Sequence, residues 1–552
     1  MNLGPGKGWN VIISRFNKLF CGDRILIPIL LLAFFVRIIG LGDAPFSFEV
    51  VWKPPVEEML KGSFYYTKDI PHPPMIVVLH YLFALAAGLS IQVFRSMSLL
   101  MGMSTIVVSY FFAKSLYNRK AAILSALLMA VVFYPVWMSL FVDIDGSVLT
   151  FFMLASLFSF HKLEKTKERK WLLMTGVFIG LALLSKYSAV LLFPVLIIYD
   201  LFANKLKNLK TIITVLLIGG AVFSLFPLSS LLLNRPEMIT DTLRWGTEGA
   251  VRADSTNILY AYVLSFARMF IFLFQYGTPI LCIIPLYLLL RKGEKKEYIL
   301  LSYAGLILVF FTLVTTGGPK ARYITPAVPA LTILASNAIL TVFNKFDRKD
   351  AYKMISVSAV FYAVLVCLNT YGVQEAFNSQ NIKPSLLLQN SIFWYSGFES
   401  TPFAIHVHSL IFVMLVSVIL FLLSLKLGKK FVIALVSLGL AFNFFILAQS
   451  FYPTAGPNFT ATVFEMVGYY KANNLNCSAL YSNEWSFMFY LDDVKLLYAD
   501  SIAQKDLMGC VFTINVQDMS ESKELQDAVK GCEEAKTFYS NGFEFGHIYI
   551  CE

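Results

Sequence analysis

The sequence has no P-loop, no G-x-G-x-x-G opening a helix after a strand, no H-E-x-x-H and no C-x-x-C. Nucleotide-dependent phosphoryl transfer, dinucleotide redox chemistry, zinc proteolysis and thioredoxin-like exchange therefore lack their signatures. Charge is scarce too, at 14% of 552 residues against 57% hydrophobic. Runs such as RILIPILLLAFFVRIIGL have no polar face at all, as a bilayer-spanning segment requires and a soluble amphipathic helix does not allow. The formal net charge of +10 is gathered in short basic clusters between apolar runs, the pattern of cytoplasmic loops, so no nucleic-acid partner is expected.

What is present is a polytopic α-helical membrane protein, whose topology follows from charge. Basic clusters lie at 7–24, 118–120, 162–170, 205–210, 291–296, 345–353 and 426–430. If all are cytoplasmic, an even number of crossings separates neighbouring clusters. Parity then demotes the run after HPP, residues 74–90, to a half-buried or interfacial helix in the first external loop, and demotes 258–266 in favour of a span at 268–290. About thirteen spans remain, near 25–41, 97–117, 121–141, 147–161, 171–185, 187–203, 211–233, 268–290, 298–316, 323–343, 354–371, 403–425 and 431–450. The basic N-terminus reads as a retained signal anchor, cytoplasmic in a plasma-membrane protein. The odd count puts residues after 450 outside.

The chain thus divides into a membrane domain, 1–450, and a small external α/β domain, 451–552, with strand-like runs (SALYSN, FMFYL, VKLLYA, CVFTINV, HIYIC) and two helical candidates. Cys477, Cys510, Cys532 and Cys551 fall in it. An even count outside favours one or two disulfides, with connectivity open; the alternative is four buried thiols.

Most unusual polar residues land on the external side. The first external loop, 42–96, is long and aromatic-rich and carries Asp43, Glu49, Glu57, Glu58 and Asp69. Glu49 stands among Phe46, Phe48, Val50, Val51 and Trp52, surroundings that push a carboxyl toward a general-base range. In FVDIDGSV, Asp143 and Asp145 end the third span at the interface, where they escape the roughly 2.5–3.5 kcal/mol that each acid costs at mid-bilayer. They are either helix-capping acids or, in an extended segment, paired acceptors for a sugar, a cation or a metal. Lys186, and Arg322 with Tyr323, sit at external membrane boundaries. Alone, each cation snorkels to head groups; together they suit a lipid phosphate.

Read in order, these segments resemble the GT-C membrane glycosyltransferases, in the branch of the protein O-mannosyltransferases and the lipid A aminoarabinose transferase. The matching elements are RIIGLG, the loop acid, EMLKGSFYY with HPP, FRSMS, VDIDG, LALLSKYSAVL and ARYITPAVPAL, covering about the first 340 residues. The resemblance implies an inverting hexosyl- or pentosyltransferase, taking sugar from a polyprenyl- or dolichyl-phosphate donor to an external protein, glycan or lipid acceptor. It makes Glu49, Asp143 and Asp145 the catalytic set, Lys186, Arg322 and Tyr323 the donor-phosphate side, and His72, Asp43 and Asp69 the lining. The family has Asp-Glu in the first loop with the Asp as base, whereas this chain has Phe48-Glu49. Either Glu49 serves, or Asp43 or Asp69 substitutes, or activity is lost.

Oligosaccharyltransferases of the superfamily hold a divalent cation and carry a W-W-D motif, absent here. No metal is expected, with a divalent cation at Asp143 and Asp145 as the alternative. A non-enzymatic transporter or sensor of lipid-linked sugars is the second reading. It is disfavoured because no internal repeat is visible and the polar residues gather at one face.

Overall fold

The computed structural model describes residues 23–43, 47–64, 70, 72–248, 258–285, 294–314, 321–342, 348–378, 393–398, 401–405, 407–451, 459–475, 477, 480–482, 487, 489–491, 496–498, 509–514, 529–540 and 543–551. Asp69 lies outside them. Helix occurs at every one of the expected spans. In chain order these helices are α1 (Leu26–Ile38), α2 (Lys53–Leu60), α3 (Met75–Ala87), α4 (Ile91–Leu116), α5 (Arg119–Val131), α6 (Phe133–Met138), α7 (Thr150–Thr166), α8 (Arg169–Ser185), α9 (Leu192–Asn204), α10 (Leu209–Phe223), α11 (Leu225–Leu232), α12 (Glu237–Glu248), α13 (Ile258–Cys282), α14 (Tyr298–Val314), α15 (Val328–Val342), α16 (Arg348–Asn378), α17 (Val407–Leu427) and α18 (Lys429–Phe451). Among the described residues, eight helical stretches are long and apolar enough to cross a membrane. The protein is multi-pass.

Helix α3, the demoted run, has 13 residues. That is the length of α1 as well, so length alone does not separate it from a span. The other demotion differs: residues 258–266 are not a separate element but the first turns of α13. Its apolar stretch covers Ala261–Cys282 and bends at Thr278, before Pro279.

The expected span at 121–141 is broken between α5 and α6, at Val132. A break inside a bundle frees backbone groups that need partners. Asn443 of α18 supplies two, accepting from Phe133 N at 2.6 Å and donating to Val131 O at 2.6 Å. Arg37 of α1 donates to Met129 O and Ala130 O, both at 2.9 Å. Elsewhere helices approach closely through small residues. In G-x-x-x-G of α8, a Cβ on Gly176 would sit 2.5 Å from Ile218, and one on Gly180 2.4 Å from Val222, so only glycine permits the α8–α10 contact.

The tail forms a five-stranded sheet in the order β4-β3-β5-β7-β6, with β3 (Leu480–Ser482), β4 (Leu496–Tyr498), β5 (Gly509–Ile514), β6 (Glu533–Ser540) and β7 (Phe543–Cys551). Strand β3 is parallel to both its neighbours, and β7 antiparallel to both of its own. Helix α19 (Phe459–Ala472) covers the sheet through Tyr469 against Phe538 and Tyr470 against Phe512. Disulfides Cys477–Cys510 and Cys532–Cys551 supply the connectivity left open by the sequence. A separate hairpin, β1 (Phe393–Phe398) and β2 (Thr401–Ile405), was not foreseen.

Candidate active site

The chain leaves α6 and enters a π-helical turn, Ile144–Leu149, with Asp143 extended just before it (φ −137°, ψ 142°). The expected extended D-x-D therefore holds for Asp143 only. Asp145 lies in the first turn of the π segment, where the wider winding re-aims side chains. Gly146 is required here, since a Cβ would lie 2.6 Å from Met138 Cε and 2.9 Å from its carbonyl oxygen.

Both carboxylates are buried and turned toward the same cations. Arg322, from the 3-10 segment Ala321–Ala327, has Nη1 3.6 Å from Asp143 Oδ1 and Nε 3.8 Å from Asp145 Oδ2. Lys186 sits in the break after α8, its extended backbone (φ −156°, ψ 141°) turning it out of the helix, with Nζ 2.5 Å from Asp145 Oδ2. The Tyr323 ring lies under both cations, with centroid distances of 4.8 Å to Lys186 Nζ and 6.0 Å to Arg322 Cζ, and stacks on Phe311. Five of the residues singled out by sequence, Asp143, Asp145, Lys186, Arg322 and Tyr323, thus form one cluster, whose two acids and two cations carry no net formal charge.

The cluster is not saturated. Asp143 Oδ2 and Asp145 Oδ1 are buried and lack a hydrogen-bond partner among the described residues. A buried acceptor without a donor costs about 1–3 kcal/mol, so the geometry is built to receive hydroxyls or another donor. His72, half-buried, lies against Trp52 with ring centroids 6.2 Å apart. Burial, then the charges of Lys186 and Arg322, hold its imidazole well below the ordinary value. It faces the cluster neutral.

Glu49 has a different environment from the apolar one expected. It sits in a single turn, Ser47–Val50, fully buried, and pairs with Arg95 through both oxygens, Nε to Oε1 at 3.0 Å and Nη2 to Oε2 at 2.7 Å. Oε1 also accepts the N–H of Val142 at 3.0 Å. Arg95 Nη1 donates to Gly40 O at 3.0 Å and Asp43 O at 2.7 Å. This clamp ties the end of α1, the first loop, α4 and the residue preceding Asp143 into one unit. Sequence reasoning quoted FRSMS without assigning Arg95; a lone arginine inside an apolar helix was the available signal.

Asp43 lies beside the clamp. Burial raises its carboxyl to about 6; Arg95 opposes the rise and Glu49 adds to it. The tail reaches the same place. Phe489 packs edge-on to Phe94 and under Lys53 Nζ, and the buried Tyr490 hydroxyl, pushed up to about 12 by burial, lies within the electrostatic reach of Arg95, Glu49 and Asp43. No sequence signal marked this contact. Among the described residues no group of three or more His, Cys, Asp or Glu side chains could hold a metal ion.

A family model described as dolichyl-phosphate-mannose-protein mannosyltransferase matches residues 71–230. The segment includes His72, Arg95, Asp143, Asp145 and Lys186 but ends before Arg322. The crystal structure of ArnT from Cupriavidus metallidurans in the apo state is similar at a TM-score of 0.60 and 15% identity, covering 96% of this chain and 98% of that one. The chain has the GT-C glycosyltransferase fold. The same ArnT bound to undecaprenyl phosphate is similar at a TM-score of 0.57 and 14% identity, with 96% and 98% covered. No curated protein gives a significant sequence match. In the GT-C frame, the acid–cation cluster, the first loop and the tail all meet at one end of the bundle.

Proposed function

We propose that this GT-C protein is an integral membrane glycosyltransferase. It moves a sugar from a polyprenyl- or dolichyl-phosphate donor to an acceptor hydroxyl on a protein, glycan or lipid at the extracytoplasmic face, with inversion. The observation that carries the reading is the buried cluster of Asp143, Asp145, Lys186 and Arg322 with two carboxylate oxygens still open. Support comes from the mannosyltransferase family match and from the similarity to ArnT bound to undecaprenyl phosphate.

The roles follow from charge and occupancy. The anionic lipid phosphate is the leaving group, and Lys186 and Arg322 offer charge-assisted donors to it over the Tyr323 face. Asp143, with Oδ2 open, accepts the proton of the acceptor hydroxyl as its oxygen attacks the anomeric carbon and the bond to phosphate breaks. Asp145 holds Lys186 in place. Glu49, expected as the base, has its oxygens engaged by Arg95 and Val142, so it serves as a positioning group that fixes the backbone beside Asp143. The open aspartate oxygens suit sugar or acceptor hydroxyls rather than a divalent cation, because two cations already occupy the same carboxylates. Asp43 is a second candidate base, favoured by its raised pKa.

The test is transfer, or donor hydrolysis, from radiolabelled polyprenyl-phosphate sugars by purified protein. Wild type is compared with Asp143→Asn and Glu49→Gln. Unchanged turnover in Asp143→Asn overturns its assignment as base, and no turnover by wild type with any donor of this class overturns the enzyme reading.

A further inference from the structure

At the end of the bundle opposite the acid–cation cluster, a cavity of about 480 Å³ opens between the ends of α4, α7 and α9. Helix α4 alone, at 26 residues, separates the two ends by about 39 Å. The cavity belongs to a different part of the molecule from the proposed transfer site.

Its floor is a closed polar network. Glu164 accepts from Tyr199 Oη at 2.6 Å, Asn204 Nδ2 at 2.8 Å and Asn208 Nδ2 at 3.1 Å. Asp200, fully buried beneath it, accepts from Asn204 Nδ2 and Asn208 Nδ2, both at 2.9 Å, and from Asn208 N at 3.0 Å. Every one of these donors is neutral. The two carboxylates are thus satisfied by neutral hydrogen-bond donors, with no lysine donating to either.

That rim carries Lys165, Lys167, Lys207 and Lys296. Lys296 has a partner in Glu294 at 2.7 Å. Among the described residues no ion pair involves Lys165, Lys167 or Lys207. Other cations at this end differ, since Lys114 and Arg119 both lie against Asp23, at 2.6 and 3.8 Å. Lys165, Lys167 and Lys207 against Glu164 and Asp200 leave one excess positive charge, the complement of a phosphodiester.

The backbone is held at a cost here. Lys167 (φ 57°), Lys205 (φ 57°) and Leu206 (φ 62°) are three of the six non-glycine residues with positive φ among the described residues. Lys167 and Lys205 end α7 and α9 in the left-handed conformation, where glycine is the unstrained choice. Of the two, Lys167 lines the cavity, so lysine at that position places charge at its mouth.

We infer that this cavity is a phosphate-recognition site for an anionic headgroup at the membrane surface opposite the transfer site. Lys165, Lys167 and Lys207 are its charge and the Glu164–Asn204–Asn208 network its rigid floor. A basic pocket between helix ends at a bilayer surface is suited to such a ligand. The same chemistry could be met by free phosphate, and the experiment separates the two.

Full-length protein in neutral detergent is titrated with phosphatidylglycerol, with phosphatidylcholine and with inorganic phosphate, and bound ligand is read by native mass spectrometry. Wild type is compared with the triple variant Lys165→Gln, Lys167→Gln, Lys207→Gln. Preferential binding of phosphatidylglycerol that falls roughly tenfold or more in the triple variant supports a lipid occupant. Inorganic phosphate binding lost in the triple variant, without lipid preference, supports a free phosphate. Equal binding by both proteins, or no preference of wild type for either anion, overturns the proposal and leaves the lysines as compensation for the negative ends of α4, α7 and α9. Should the triple variant not fold, Lys207→Gln alone, at an exposed position, is read with a proportionally smaller loss.

Discussion

Two buried ion-pair sites lie within one residue of each other and differ in occupancy. In the Glu49–Arg95 clamp, both carboxylate oxygens accept from the guanidinium, and one accepts from Val142 N as well. In the Asp143–Asp145–Lys186–Arg322 cluster, two carboxylate oxygens have no hydrogen-bond partner among the described residues. A filled pair has nothing left to offer a substrate and serves to hold backbone in place. An unfilled one is costly unless something binds. Occupancy, more than burial or charge, separates scaffold from chemistry at this end of the bundle.

The largest expected effect breaks that comparison directly. Asp143→Asn removes the proposed proton acceptor while keeping the side chain's shape, so turnover falls about 10²–10⁴-fold with little change in thermal unfolding temperature. If turnover survives and stability falls, the two sites have exchanged roles. Next is Arg95→Ala, which strands a buried glutamate and costs about 3–5 kcal/mol of stability, read by thermal or denaturant unfolding in detergent. The double variant Glu49→Gln, Arg95→Gln is expected to be less damaged than Arg95→Ala, since no charge is left buried and alone.

Lys186→Gln sharpens the contrast on the donor side. Loss of one proposed donor to the leaving phosphate is expected to lower kcat by about 10²–10³-fold, whereas the same change at the exposed Lys61 is expected to leave it unaltered. The smallest effect concerns Asp43. Its folded pKa, about 6, lies above the ordinary 3.8, so the folded state holds a proton that the unfolded chain releases. The stability this group contributes is complete below about pH 4 and lost as pH rises through 6. Asp43→Asn is expected to flatten that fall in unfolding temperatures measured between pH 4.5 and 7.5. If Asp43 is the base, the variant also abolishes turnover.

Much of the fold was legible because a bilayer imposes a simple rule. Runs of apolar residues must be helical, and their positions emerged within a few residues except where the helices break, at Val132 and Thr278. Those breaks depend on partners far away in sequence, Asn443 and Arg37 for the first, which no local pattern announces. The cluster of Asp143, Asp145, Lys186, Arg322 and Tyr323 was legible because charge at a membrane boundary is conspicuous. The partner of Glu49 was not. An arginine at one turn of a helix carries no sign of which carboxylate it meets, and the neighbours Phe48 and Trp52 suggested an apolar pocket in place of a salt bridge.

The sequence by itself determined that the chain crosses a membrane many times and that a small cysteine-bearing α/β domain follows the membrane helices. Local composition suffices for this, since water and lipid each select residue types one segment at a time. Only the tertiary structure decided the disulfide pairing, the π turn that re-aims Asp145, the Arg95 clamp on Glu49, and the approach of Phe489 and Tyr490 to the first loop. Each rests on a contact between distant segments, and the energy of such a contact depends on which atoms are left without partners once the chain has packed.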